Sequence, residues 1–126
     1  ETVPAREKAI RNAKLNVIKI SRGCGSWECG CREPHSIPFK LIGKNGSVII
    51  NLIPAPKGTG LKVEKECQRM LELTGIKDIY SKSFGQKRVK MNMIKSCFKA
   101  LKKLTITKIP DGFEKSAGIC EGSLQK

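Results

Sequence analysis

The stretch that decides the fold is "HSIPFKLIGKNGSVIINLI", residues 35–53. Alternation puts Ile37, Phe39 and Leu41 on one face of an extended segment, while residues 47–53 are β-branched on both faces, as in a strand at the centre of a sheet. Between them lies "KNGS", where Asn45 and Gly46 can supply the positive backbone angles of a two-residue hairpin turn. An antiparallel pair is therefore expected here.

Working downstream, "PAPKGTG", residues 54–60, carries two prolines and two glycines and must be a shaped loop. Val63, Cys67, Met70, Leu71 and Thr74 then recur at helical spacing, and Gly75 suits the C′ position that ends a helix. "KDIYSKSF", residues 77–84, reads as another strand. From about 90 to 104 a second long helix is expected, with Ile94, Cys97, Phe98 and Leu101 on one face and Lys95, Lys99, Lys102 and Lys103 on the other. After Thr105 the pattern fades into a tail of weak order.

Upstream, Pro4 opens a helix over about 4–14 whose narrow stripe of Ala5, Ala9, Ile10 and Ala13 lies opposite Arg6, Lys8 and Arg11. "LNVIKI", residues 15–20, reads as a strand. At 126 residues one core is expected. The reading is α+β, a small sheet carrying helices on one face, divided as a helix at 1–14, a domain at 15–104 and a tail at 105–126. The chain opens on Glu1 rather than Met, so an upstream segment is expected to be missing from it.

Charge narrows the function. Twenty-five Lys and Arg against eleven Asp and Glu give a net charge of +14, which favours a polyanionic partner. No apolar run is long enough to span a bilayer and no leader opens the chain, so a cytoplasmic protein with no membrane role is expected. Between Asp78 and Asp111 there is no acidic residue, while Lys82, Lys87, Arg88, Lys90, Lys95, Lys99, Lys102, Lys103 and Lys108 all fall in that window. A second acid-free stretch, 34–63, holds Lys40, Lys44 and Lys57. A lysine-rich solvated face is the ordinary alternative, but two such windows point to phosphate contact. Lysine outnumbers arginine and only six aromatics exist, so recognition of RNA backbone and shape is expected over base stacking. Lys57 and the glycines of 54–60, ahead of a helix start, could present backbone N–H groups to a phosphate; a plain connecting loop explains them as well.

Together, "HSIPFKLIGKNGSVIINLIPAPKGTG" and "LELTGIKDIYSKSFG" resemble the C-terminal domain of the universal small-subunit ribosomal protein five, and "GCGSWECGC" resembles its archaeal form. The resemblance runs from about Val3 to Leu104. It implies a sheet of about four strands backed by two helices, with a left-handed β-α-β crossover shared with the ribonuclease P protein; general handedness statistics alone would predict the opposite hand. It also implies an upstream domain resembling double-stranded-RNA-binding modules, with the helix at 4–14 following it. The expected partners are small-subunit rRNA, small-subunit proteins four and eight, and the region where mRNA enters. Pro56, Lys57, Gly58, Thr59 and Gly60 match the family segment near protein four, a contact linked to decoding accuracy.

Three cysteines and the only histidine cluster as Cys24-x4-Cys29-x-Cys31-x3-His35. A closed Cys3His set is a recognised structural zinc site, and Gly23, Gly25 and Gly30 would let the loop fold tightly around a metal. Structural zinc is the preferred reading, with free thiols and disulfide or redox use as alternatives. Trp27 is expected to lie over this loop, Glu33 to be solvated or paired with Arg32, and Cys67 and Cys97 to be core residues.

A non-enzymatic ribosomal component is therefore expected. An RNA-processing enzyme and a free-standing RNA-binding module are the rivals. The first would need an open metal position or a placed base, and the motif of a zinc deaminase is absent.

Overall fold

The computed structural model describes residues 1–26 and 33–107 together with the strand at 120–121. The elements run α1 (Thr2–Leu15), β1 (Ser21–Arg22), β2 (Leu41–Asn45), β3 (Val48–Pro54), β4 (Leu61–Lys62), α2 (Lys65–Thr74), β5 (Ile79–Phe84), α3 (Lys90–Ile106) and β6 (Cys120–Glu121). Four strands form one mixed sheet in the order β2-β3-β5-β4, and β1 pairs with β6 in a separate two-stranded ribbon. The β2-β3 and β3-β5 pairs are antiparallel, whereas β4 runs parallel to β5, so α2 is the crossover between them. This is the expected α+β architecture.

The core lies between one face of the sheet and α2 and α3. Leu41, Val48, Ile50, Leu52 and Ile79 point into it from the strands, and Cys67, Leu71, Met93, Cys97, Leu101 and Leu104 from the helices. Among the described residues fourteen buried side chains join in this cluster, and burying each large aliphatic one contributes on the order of 2 kcal/mol. Gly43 makes the close approach possible: a Cβ there would lie 2.0 Å from the Ser96 carbonyl oxygen of α3. Gly75 ends α2 in the left-handed conformation (φ +85°), as its sequence position suggests.

Several expectations shift. Asn45 pairs with Val48, so the two turn residues are Gly46 and Ser47 rather than Asn45 and Gly46, and Gly46 carries the positive angle (φ +61°). The reason is tertiary: Asn45 donates from Nδ2 to Asn92 Oδ1 of α3 at 3.0 Å, which keeps it in the ladder. Residues 15–20 form no strand, because among the described residues no other strand lies alongside. Instead Ile18 and Ile20 pack onto the helices, with Met70, Phe98 and Leu101 lining the groove beneath them. Residues 37–40 are likewise outside the ladder, though Ile37 is fully buried. α1 has no buried residue at all. The tail contributes β6 to the ribbon with β1; the rest of it lies outside the described residues.

Candidate nucleic-acid interface

The period of α3 separates its two sides cleanly. Met93, Ser96, Cys97, Ala100, Leu101 and Leu104 are buried, while Lys95, Lys99, Lys102 and Lys103 are exposed. Lys99 donates to Asn45 Oδ1 at 2.9 Å, and the Lys102 ammonium lies 5.1 Å from the Phe98 ring centroid. Among the described residues no carboxylate pairs with Lys95, Lys99, Lys102 or Lys103. Lys90 differs: it meets Glu66 of α2 at 3.2 Å, so the acid that the α3 sequence lacks comes from its neighbour. Glu66 is held below the usual carboxylate range by its backbone hydrogen bond at the start of α2 and then by Lys90.

α3 starts without a side-chain cap and with no acid in its first turn. The positive end of its peptide dipoles therefore adds to Lys87, Arg88 and Lys90, all exposed around the bend at 85–90. Gly85 turns that bend (φ +87°), and Lys87 donates its amide to the Gly85 carbonyl at 2.9 Å.

Lys44 and Lys82 go elsewhere. Strand register puts them on the sheet face opposite the helices, with Lys44 beside Ile49 and Lys82 beside Asn51. Lys40 is exposed just before β2. The predicted basic residues are thus dispersed: Lys95, Lys99, Lys102 and Lys103 lie on the outside of α3, Lys87, Arg88 and Lys90 around its start, Lys44 and Lys82 on the open face of the sheet, and Lys40 and Lys57 in connecting segments. Sequence reasoning missed Lys62, Tyr80, Asn51 and Phe84 on that open face; the alternation of "IYSKSF" contained the signal for Tyr80, Lys82 and Phe84.

The loop at 54–60 leads into β4 and not directly into a helix, so of the two readings of this segment the geometry favours the plain connecting loop. Its amides are used internally: Gly60 N–H donates to Asp78 Oδ1 at 2.9 Å and Thr59 N–H to the Pro56 carbonyl at 3.3 Å. Lys57 pairs with Glu33, and Ser36 Oγ accepts from the Ala55 amide at 3.3 Å. The segment at 33–36 is thereby laced to this loop. Glu33 takes Lys57; the expected partner Arg32 lies outside the described residues.

His35 is buried with its Nδ1 2.8 Å from Asp78 Oδ2, and its carbonyl accepts from the amides of Lys77 and Asp78. Cys24 is buried as well. Cys29, Cys31 and Trp27 lie outside the described residues. Among the described residues no group of three or more His, Cys, Asp or Glu could hold a metal ion. Cys67 and Cys97 are fully buried core residues, as expected. Among the described residues no helix is long and apolar enough to cross a membrane.

Comparison with known proteins fits this geometry. Residues 43–109 match the family model of ribosomal protein S5, C-terminal domain. The chain is 52% identical over 120 residues to the small ribosomal subunit protein uS5 of Nanoarchaeum equitans, covering 95% of this chain and 52% of that protein. It is 48% identical over 122 residues to the uS5 protein of Methanocaldococcus jannaschii (97% and 56% covered) and 59% over 99 residues to that of Thermofilum pendens (79% and 49%). The chain spans about half the length of the curated relatives it matches.

Proposed function

The chain belongs to the ribosomal protein S5 family through its C-terminal domain, and from that premise we propose that it is a non-enzymatic, rRNA-binding constituent of the small ribosomal subunit in the cytoplasm. The observation that carries the reading is the outer side of α3, where Lys95, Lys99, Lys102 and Lys103 are exposed on a helix without acidic residues. Such a surface suits crowded phosphates, because each contact releases condensed counterions. Lys87, Arg88 and Lys90 extend it around the start of the helix. The names of the relatives support the ribosomal setting.

The finer partners belong to the same proposal. Residues 56–60 form the contact with small-subunit protein four, protein eight is a second neighbour, and the chain lies near where mRNA enters and supports decoding accuracy. Lys57 and Gly58 are exposed at the tip of that loop, as a contact requires.

Structural zinc also belongs here. An imidazole whose Nδ1 lies 2.8 Å from a buried carboxylate has Nε2 left for a metal, and a carboxylate beside the ring is typical of metal-bound histidine. His35 and Cys24 fit that role, with Cys29 and Cys31 completing the set; bound zinc would clip the connection between β1 and β2. Elemental analysis of the purified chain should give one zinc, lost on replacing Cys29 and Cys31 with serine. A metal-free chain would remove the proposal.

The test of the main reading is binding to small-subunit rRNA across a salt series. Affinity should fall steeply with salt, and replacing Lys99 or Lys103 with alanine should lower the log–log slope by about one unit each. A salt-independent affinity, or absence of the chain from purified small subunits, would overturn it.

A further inference from the structure

The sheet has an open side. α2 and α3 cover the face of Leu41, Gly43, Ile50, Leu52 and Ile79, and among the described residues no helix packs on the other. Register sets that other face in three cross-strand rows. Lys44, Ile49 and Phe84 form the first, Ile42, Asn51 and Lys82 the second, and Ile53, Tyr80 and Lys62 the third. No row holds an acidic residue.

From this we infer that the open face of the sheet binds unpaired bases of RNA, which deepens the rRNA-binding reading and rests on it. Three features converge. Tyr80 and Phe84 are 40% and 43% exposed on one side of β5, although rings of this size are ordinarily buried. Four residues apart on one strand, they stand about 13 Å apart, and a sheet bearing spaced aromatics is a known platform for splayed bases. Second, Lys44, Lys62 and Lys82 are exposed beside them, with Lys82 Nζ 5.4 Å from the Phe84 ring centroid, so a base on either ring would bring its phosphate to an ammonium. Third, Asn51 Oδ1 is buried between the two rings' rows and has no hydrogen-bond partner among the described residues. A buried acceptor without a donor costs about 1–3 kcal/mol, and rotation of this amide outward would expose it to the exocyclic amine of a stacked base.

Charge decides between occupants. An apolar protein surface would cover Ile42, Ile49 and Ile53 but would strand three lysines; a single RNA strand supplies planar apolar surface, amine donors and anions together. Duplex RNA cannot use the face this way, since its bases are already paired and stacked. The open face and the outside of α3 are then complementary: one takes bases and the other backbone.

The experiment uses the full chain, an unstructured single-stranded oligoribonucleotide and an RNA hairpin of equal length. Ultraviolet cross-linking with peptide mapping should attach the single strand at residues 79–84. Tyr80→Ala and Phe84→Ala should each weaken single-strand binding roughly tenfold, while hairpin binding and thermal unfolding stay unchanged; Tyr80→Phe should retain affinity. Cross-links confined to the lysines of α3, single-strand affinity indifferent to both alanine variants, or loss of a protein contact in place of an RNA contact would overturn the inference alone. Failure to bind either RNA would overturn the rRNA-binding reading as well, so the two failures are distinguishable.

Discussion

His35 and Asp78 meet at 2.8 Å, Nδ1 to Oδ2, with both side chains almost wholly buried. The other carboxylate oxygen of Asp78 accepts the Gly60 amide at 2.9 Å. One side chain thus ties the start of β5 to the end of the 54–60 loop and to the segment that follows the cysteine cluster. Asp78→Ala would strand the Gly60 amide and remove the carboxylate beside His35, and should cost about 1–3 kcal/mol in urea unfolding. Asp78→Asn, which keeps an acceptor for Gly60, should cost less. Equal midpoints for Asp78→Ala and the parent would show that the pair does not hold the loop.

Gly43 is expected to be the least replaceable glycine of the sheet. The Cβ of Gly43→Ala would meet Ser96 O at 2.0 Å and the Ala100 Cβ at 2.9 Å, so α3 must move off β2. Overpacking of this kind costs about 1–3 kcal/mol, and the contact with backbone puts the loss at the upper end. Thermal unfolding of G43A checks it; a melting point within a degree of the parent would mean the helix yields freely.

Cys67 and Cys97 should be silent towards thiol reagents in the folded chain. Both are fully buried, Cys67 Sγ donates to the Met93 carbonyl at 3.8 Å, and the two thiols hydrogen-bond each other. That contact, together with burial, pushes the Cys97 thiol far above its ordinary range while it lowers that of Cys67, so Cys97 is silenced by its charge state and Cys67 by burial alone. Labelling with peptide mapping should therefore track global unfolding in denaturant. Labelling of either residue at the rate of a free thiol would contradict the packing.

Acid should loosen the contact between α2 and α3. The Glu66 carboxyl is held down by the backbone hydrogen bond first and by Lys90 second. A folded-state value below the unfolded one contributes stability that is present above the unfolded value and is lost as pH falls through the folded one. The loss therefore falls below about pH 4.5. Melting curves of Glu66→Gln should be flatter than the parent's in that window, and parallel curves would show that the pair does not contribute.

Local pattern carried much of this fold. The helical spacing of Val63–Thr74 and of residues 90–104, the Gly75 stop and the alternation through β5 each depend on neighbours in sequence, and each element is where that spacing places it. What failed depended on distant partners. Residues 15–20 have strand composition but meet helices instead of a strand, and the turn shifted by one residue because Asn45 is held by Asn92. The two-residue β4 is too short to leave a period. For the site, the lysines of α3 were visible as a face of one helix. The open face of the sheet was not, because grouping Lys44, Asn51, Lys62, Tyr80 and Phe84 requires register across four strands.

A sheet with two edges can template pairing between copies. Here one edge is β4, two residues long, and the other is β2, which carries the exposed Lys44 and has Lys40 just before it. Copies that each carry +14 also repel one another. The same lysines that face outward therefore disfavour edge-to-edge pairing between copies of the chain.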